Sequence, residues 1–270
     1  MQRNSPSSFH LNYLPRRMKL PVVRKRIHAP TVAFPGRLYA EEVHTRGWVP
    51  DMHGNRRMIT GPVSAAEARF LAGLIAETNS KRCLETGVAL GVSTLAIAQA
   101  VSQTGGRHLG IDPCQRSEHG GAALGALAEF GLQDFFALRE GPSHTELPKL
   151  FNSGESFDLI FVDGAHQFNF KFIDFYYADL LLETGGYLVF HDLLLPATKK
   201  LYLYIQTLRR YDFIATPQLQ PTAAKKLRYL AGAFAKLKPL RTYWPNGFGN
   251  LLVLQKVSDE PAPWNLFRNF

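Results

Sequence analysis

Residues 81–93 read KRCLETGVALGVS, and the fold follows from how that stretch is parsed. Its first six residues fit a short strand, Gly87 and Gly91 bracket a tight loop, and residues 92–101 then run on as a helix. Moving outward, the alternation recurs. Residues 107–112 (RHLGID), 135–139 (FFALR), 157–163 (FDLIFVD) and 187–192 (YLVFHD) read as strands, with helical stretches near 121–130 and 168–182 between them. FDLIFVD is almost continuously apolar, as a strand covered on both faces must be. Upstream, Ser64 followed by Glu67 is a capping box opening an amphipathic helix through Phe70, Leu71, Leu74 and Ile75. Gly185 and Gly186 read as the close of a helix before the fifth strand. Downstream, a helix near 199–211 precedes strands at 213–216 and 251–256 (LLVLQK), the last entered from an Asn-Gly turn at 246–247. The alternation predicts an α/β chain with a doubly wound, mostly parallel sheet and helices on both faces.

With 270 residues, 46% of them hydrophobic, the chain can bury one sizeable core, which excludes a disordered protein. No run reaches the roughly 18 uncharged apolar residues of a membrane-spanning helix. The first residues lack an apolar leader core and are broken by Pro6, Pro15 and Pro21, and only two cysteines occur, Cys83 and Cys114. A reduced, cytoplasmic setting is the expectation. The net charge of +9 is unevenly spread: +8 over residues 1–60, −8 over 61–198 and +9 over 199–242. Basic flanks attract nucleic acid, anionic lipid or an anionic substrate, or serve only as solvated surface.

Residues 1–60 hold six prolines and no sustained period, so they are expected to form a basic N-terminal arm with little structure of its own. Residues 61–258 form the α/β domain and 259–270 a tail. Within the domain, residues 222–240 place Leu227, Leu230, Phe234 and Leu237 at helical spacing among lysines. That segment reads as an inserted, lid-like helix, with plain packing and a weak membrane-surface contact as the alternatives.

Chemistry gathers at the strand ends. Glu85, Asp112 and Asp163 close the first, second and fourth strands, and Asp192 closes the fifth. In an open doubly wound sheet, ligands bind at the carboxyl ends where the strand order reverses, so these acids are expected around one crevice. Gly87 suits a sharp turn with positive φ, and Gly91 suits close approach of backbone to ligand. An acid about 20 residues past the loop, here Asp112, suits paired ribose hydroxyls. The loop lacks the G-x-G-x-x-G spacing of nicotinamide dehydrogenases, and no Walker A sequence supports phosphoryl transfer.

The run from about 64 to 256 resembles a class I S-adenosylmethionine-dependent methyltransferase, of the O-methyltransferase group that includes macrocin-type sugar methyltransferases and cephalosporin-hydroxylase-like proteins. ETGVALGVS (85–93), IDP (111–113), EGPS (140–143), FDLIFVDGAH (157–166) and GGYLVFHD (185–192) carry the resemblance. It implies a Rossmann-like, seven-stranded sheet of order 3-2-1-4-5-7-6. It also implies that Glu85, Thr86, Gly87, Gly91, Ser93, Asp112, Ser143 and Asp163 line the S-adenosylmethionine site.

Asp163 and Asp192, on adjacent strands, are expected about 5 Å apart. Carboxylates that close share a cation or force one to hold a proton, and hard oxygen ligands favour Mg²⁺ or another divalent ion. Relatives of this kind bind the metal through the aspartate of D-G-x-H and an acidic pair ending the next strand. Here that pair is His191-Asp192, so imidazole replaces one carboxylate, and Leu193 stands where a catechol-type relative carries an amide. Asp163, His191 and Asp192 are thus the candidate metal ligands; the alternative has Asp163 capping a helix and Asp192 bonding a loop. His166, three residues past Asp163, is the candidate general base, since imidazole accepts a hydroxyl proton near neutral pH. The expected function is O-methylation of a small hydroxylated metabolite, sugar or polyketide-like, with metal assistance. An RNA methyltransferase, motivated by the basic flanks, and a cofactor-binding protein without turnover are the alternatives. The absence of a D/N-P-P-Y/F motif argues against nucleic acid; an oligomer is compatible with the pattern.

Overall fold

The structure, a computed structural model, describes residues 27–28, 34–208, 210–215 and 250–260. The chain opens with β1 (Ile27–His28), α1 (Tyr39–Arg46), β2 (Trp48–Pro50), β3 (Arg56–Met58) and α2 (Ala65–Thr78). The central body follows: β4 (Arg82–Thr86), α3 (Val92–Thr104), β5 (Arg107–Ile111), α4 (Ala122–Glu129), β6 (Phe136–Arg139), α5 (Ser143–Asn152) and β7 (Phe157–Val162). It ends with α6 (Phe168–Leu181), β8 (Leu182–Phe190), α7 (Pro196–Ile205), β9 (Tyr211–Ala215) and β10 (Leu252–Lys256).

The main sheet runs β6-β5-β4-β7-β8-β10-β9-β1, so its first seven strands keep the expected 3-2-1-4-5-7-6 order. β10 lies antiparallel between β8 and β9, and the other pairings are parallel. An eighth strand not expected from the sequence, β1, extends the edge beside β9. Side chains alternate across each strand, and that period of two divides the core. Cys83, Leu159, Phe161, Val189 and Val253 pack toward α2 and α3, while Leu84, Ile160, Val162, Leu188 and Phe190 pack toward α6 and α7. Helix α3 is buried over Val92–Val101 because α1, α2 and α4 cover the flank that the sheet leaves open. Its first turn, just past the glycine loop, is buried with it.

Three details depart from the sequence reading. Residues 34–60 are not an unstructured arm: Phe34, Leu38, Val43 and Val49 are buried in the α2–α3 core, and Gln99 on α3 bonds the backbone of Tyr39 and Arg37 at 2.9 Å each. Each short element offers one anchor, so no periodicity betrays it. Gly185 and Gly186 lie inside β8 rather than closing a helix; Gly186 sits where a Cβ would be 2.8 Å from the Asp158 carbonyl oxygen. Helix α5, whose pattern Pro148 interrupts, follows the EGPS turn. The helix read over 222–240 and residues 261–270 lie outside the described residues. No helix among the described residues is long and apolar enough to cross a membrane.

Candidate active site

The parallel ladder continues past the strand ends and draws the loops together. Gly87 N donates to Ile111 O at 2.9 Å, Asp163 N to Thr86 O at 2.8 Å and His191 N to Val162 O at 3.1 Å. The glycine loop, Asp112, Asp163 and His191 therefore share one edge of the sheet. Gly87 has φ +86°, and a Cβ there would stand 2.4 Å from the Asp163 carbonyl oxygen, so only glycine fits. Gly91 also has positive φ, but what approaches it closely is Ala123 of α4, at 2.7 Å from a built Cβ. Packing against α4 by itself requires a glycine at this position.

Asp112 organises the loop from inside. Its Oδ2 accepts Val88 N at 3.0 Å and Ala89 N at 2.8 Å, and its Oδ1 accepts Cys114 N at 2.7 Å. These bonds hold Ala89 at φ +45°, a conformation uncommon for a residue with a Cβ. Glu85 does not open onto the crevice. It is fully buried, its oxygens accepting Ser93 Oγ and Thr94 Oγ1, with His108 Nε2 at 3.2 Å. Its place on β4 sends the side chain toward α3, where two hydroxyls at the helix start meet it.

Thr86 and Ser143 converge on a residue the sequence reading missed. Thr86 Oγ1 donates to Asp174 Oδ2 at 3.2 Å, and Ser143 also bonds that carboxylate. Asp174 is buried on α6, and burial pushes its carboxyl above the ordinary aspartate range. Lys171, one turn earlier and also fully buried, reaches Val162 O at 3.4 Å; burial pushes its ammonium down, against the fields of Asp163, Asp174 and Asp192.

The exposed side of the edge carries the acidic pair and two histidines. Asp163, His191 and Asp192 offer ligand atoms that all lie within 4.8 Å of one another. His191 Nδ1 faces Asp163 Oδ1 at 3.1 Å and Asp192 Oδ1 at 3.6 Å. Burial works against a charged His191 ring, but the bonds and charges of Asp163, Glu67 and Asp192 win, and its pKa is pushed up to about 10. Burial pushes the Asp163 carboxyl up more than its His191 pairing pulls it down. Asp192 has φ +59°, a left-handed conformation that Asp tolerates better than most residues. His166 is exposed, its Nδ1 3.5 Å from Asp192 Oδ2. Two carboxylates and an imidazole at this spacing fit a divalent cation, and the nitrogen donor tilts the set toward transition ions.

Two partners escaped the sequence reading. Asn250 Nδ2 lies 3.1 Å from His191 Nε2 and 3.3 Å from Asp192 Oδ1. Glu67 Oε2 stands 3.7 Å from His191 Nε2, and the His191 and Ser64 contacts outweigh burial in holding Glu67 below the usual carboxylate range. The capping box was a legible signal for Glu67, but it announced only a helix start.

A doubly wound sheet of this order, with a glycine loop after the first strand and an acid ending the second, defines the fold of class I methyltransferases. Residues 84–193 match the family described as a methyltransferase domain. Caffeoyl-CoA O-methyltransferase 1 of Eucalyptus globulus is 37% identical over 103 residues, 37% of this chain and 41% of that protein. The catechol O-methyltransferase of Mycobacterium tuberculosis is 30% identical over 127 residues, 47% of this chain and 54% of the relative. The chain thus spans about two fifths to half of the length of these relatives. Among solved structures, the O-methyltransferase from Bacillus cereus in complex with SAH superposes with a TM-score of 0.58 at 20% identity, covering 83% of this chain and 93% of that one. These findings bear out the resemblance read from the sequence.

Proposed function

We propose that this chain is an S-adenosylmethionine-dependent O-methyltransferase acting on a hydroxyl of a small sugar or polyketide-like metabolite, with a divalent cation assisting. The observation that carries the reading is the gathering of Asp163, His191 and Asp192 beside exposed His166, on the same sheet edge as the Gly87 loop. S-adenosylmethionine supplies a sulfonium methyl, and the cation supplies positive charge that acidifies an acceptor hydroxyl. Asp163, His191 and Asp192 would hold the cation.

The chain's own residues do the rest. Gly87 and the backbone after it frame the cofactor, and Asp163 flanks that frame. Asp112, with three backbone N–H groups already on its carboxylate, keeps about one lone-pair position for a ribose hydroxyl. Glu85 and Ser93 act from beneath as a buried brace for the start of α3, while Gly91 gives close packing against α4. Thr86 and Ser143 hold the floor through Asp174. His166 accepts the acceptor proton, and Asp192 orients its ring. Residues 61–258 act as the catalytic domain in this reading, with 222–240 as its lid. A cytoplasmic setting suits the free thiols of Cys83 and Cys114.

Calorimetry with S-adenosylhomocysteine, followed by a methyl-transfer assay over hydroxylated acceptors with Mn²⁺ or a chelator, tests this. Absence of binding at millimolar cofactor would remove the whole reading. The substitution of His191 for a carboxylate favours a second reading, cofactor binding without turnover; it is selected by tight binding with no transfer across the panel.

A further inference from the structure

We propose that Gln115 is a positioning residue for the cofactor loop, acting through the backbone of Ala89; the inference rests on the S-adenosylmethionine reading above. Gln115 follows Asp112 in the segment after β5 and is fully buried. Its Nε2 donates to Ala89 O, while Asp112 Oδ2 accepts Ala89 N at 2.8 Å. One residue of the loop is thus held at its N–H and at its carbonyl by two side chains from the same segment. That residue is the one at φ +45°, where a Cβ crowds the backbone, so the conformation persists only where its surroundings impose it. The hold comes from beneath, since Ala89 is exposed and Gln115 is not. A trans peptide sets the Leu90 N–H opposite the Ala89 carbonyl, so pinning that carbonyl inward turns the N–H toward the open side of the loop.

The other atom of the amide singles Gln115 out. Its Oε1 is buried and has no hydrogen-bond partner among the described residues. Chemistry fixes which amide atom is which, because only the nitrogen can donate to a carbonyl. A buried acceptor left unpaired costs stability, and an apolar side chain of similar length, such as methionine, would avoid that cost. What glutamine supplies is the Nε2 bond to the loop. The turn that follows does not rest on this side chain: backbone closes it, with Gly121 N donating to Gln115 O at 2.7 Å. Holding the loop and holding the fold are therefore separable by one substitution.

The test uses the full chain as wild type, Gln115→Met and Gln115→Glu. S-adenosylhomocysteine affinity is measured by calorimetry, and amide hydrogen exchange over residues 86–91 and 92–104 is followed by mass spectrometry without ligand. In Gln115→Met we expect melting within a few degrees of wild type, faster exchange over 86–91 alone, and S-adenosylhomocysteine affinity lower by about tenfold or more. In Gln115→Glu a protonated carboxyl donates to Ala89 O as the amide does, whereas an ionised one repels it. Its affinity relative to wild type should therefore start near parity at pH 5.5 and fall as pH rises toward 9. A purely structural side chain would introduce no such dependence. Wild-type affinity and unchanged exchange over 86–91 in Gln115→Met would overturn the proposal. Should that variant not fold, Gln115→Glu decides, and a flat affinity ratio from pH 5.5 to 9 overturns the proposal likewise. If the wild type binds no S-adenosylhomocysteine, the cofactor reading fails by itself, and exchange over 86–91 in ligand-free Gln115→Met still decides whether Gln115 holds the loop.

Discussion

His191 Nδ1 and Asp163 Oδ1 lie 3.1 Å apart at the ends of adjacent parallel strands. Around the ring stand three carboxylates, Asp163, Asp192 and Glu67, at 3.1–3.7 Å. A protonated ring is therefore the countercharge of the metal-free site. A cation entering through Nδ1 must displace a proton held up to a pKa of about 10.

Metal affinity should consequently rise with pH. Each unit below that pKa imposes about a tenfold penalty on a ligand that must first lose its proton. Calorimetric Mn²⁺ titrations at pH 6.5, 7.5 and 8.5 should give dissociation constants falling by nearly an order of magnitude per unit. A flat series would mean that the carboxylates bind without His191. Mn²⁺ should also bind more tightly than Mg²⁺, which accepts imidazole poorly.

The same proton links pH to folding. A raised folded-state pKa stabilises the protein fully below the unfolded histidine value near 6.5, and that contribution is lost as pH rises toward 10. In chelator, urea unfolding at pH 6 and pH 9.5 should show stability falling over this window, by no more than a few kcal/mol. Buried Lys171, whose pKa is lowered by burial, acts in the opposite sense, so the comparison is with His191→Gln. That variant should lose most of the downward slope.

Gly87→Ala tests the loop. The added methyl would meet the Asp163 carbonyl oxygen at 2.4 Å on a residue at φ +86°, and backbone rather than a flexible side chain must yield. Left-handed strain and the clash together should cost at least ~2 kcal/mol. Thermal melting should fall by several degrees, and S-adenosylhomocysteine binding should weaken more than tenfold, because the clash pushes the loop away from Asp163.

Much of this edge was legible because strand ends are legible. FDLIFVD and YLVFHD each finish on an acid, and the parallel order then sets Asp163 beside His191-Asp192. The nearly continuous apolar run of FDLIFVD also marked the sheet as covered on both faces. Long-range partners were not legible. Asn250 lies 59 residues past His191 in the chain, and Asp174 and Lys171 sit in the aromatic pattern of α6, where buried polar residues look like the polar face of a surface helix. Glu85 stands at a strand end like Asp163, yet two hydroxyls on α3 close over it, and no local pattern tells a covered acid from an open one. Residues 34–60 hide their contribution because their anchors are spread over separate short elements.

Asp112→Asn separates loop bracing from ribose recognition. The carboxylate accepts three backbone N–H groups through both oxygens, and an amide group in place of Oδ1 or Oδ2 faces at least one of them with its own N–H. A buried donor left without a partner costs about 1–3 kcal/mol. Urea unfolding should therefore show a loss of that size even without cofactor. If stability is unchanged while cofactor binding collapses, Asp112 contacts the ribose and does not brace the loop.

His166 should divide chemistry from binding. Its ring is exposed and stands 3.5 Å from Asp192, so His166→Ala should leave melting unchanged. Removing a general base typically costs about 10²–10⁴ in rate. With an acceptor that turns over, kcat should fall by that factor, while S-adenosylhomocysteine affinity stays within about twofold. The drop should shrink at higher pH, where the acceptor hydroxyl ionises without help. A full kcat in His166→Ala would move the proton-accepting role elsewhere on the edge, and a loss of cofactor affinity instead would show that the ring binds rather than abstracts.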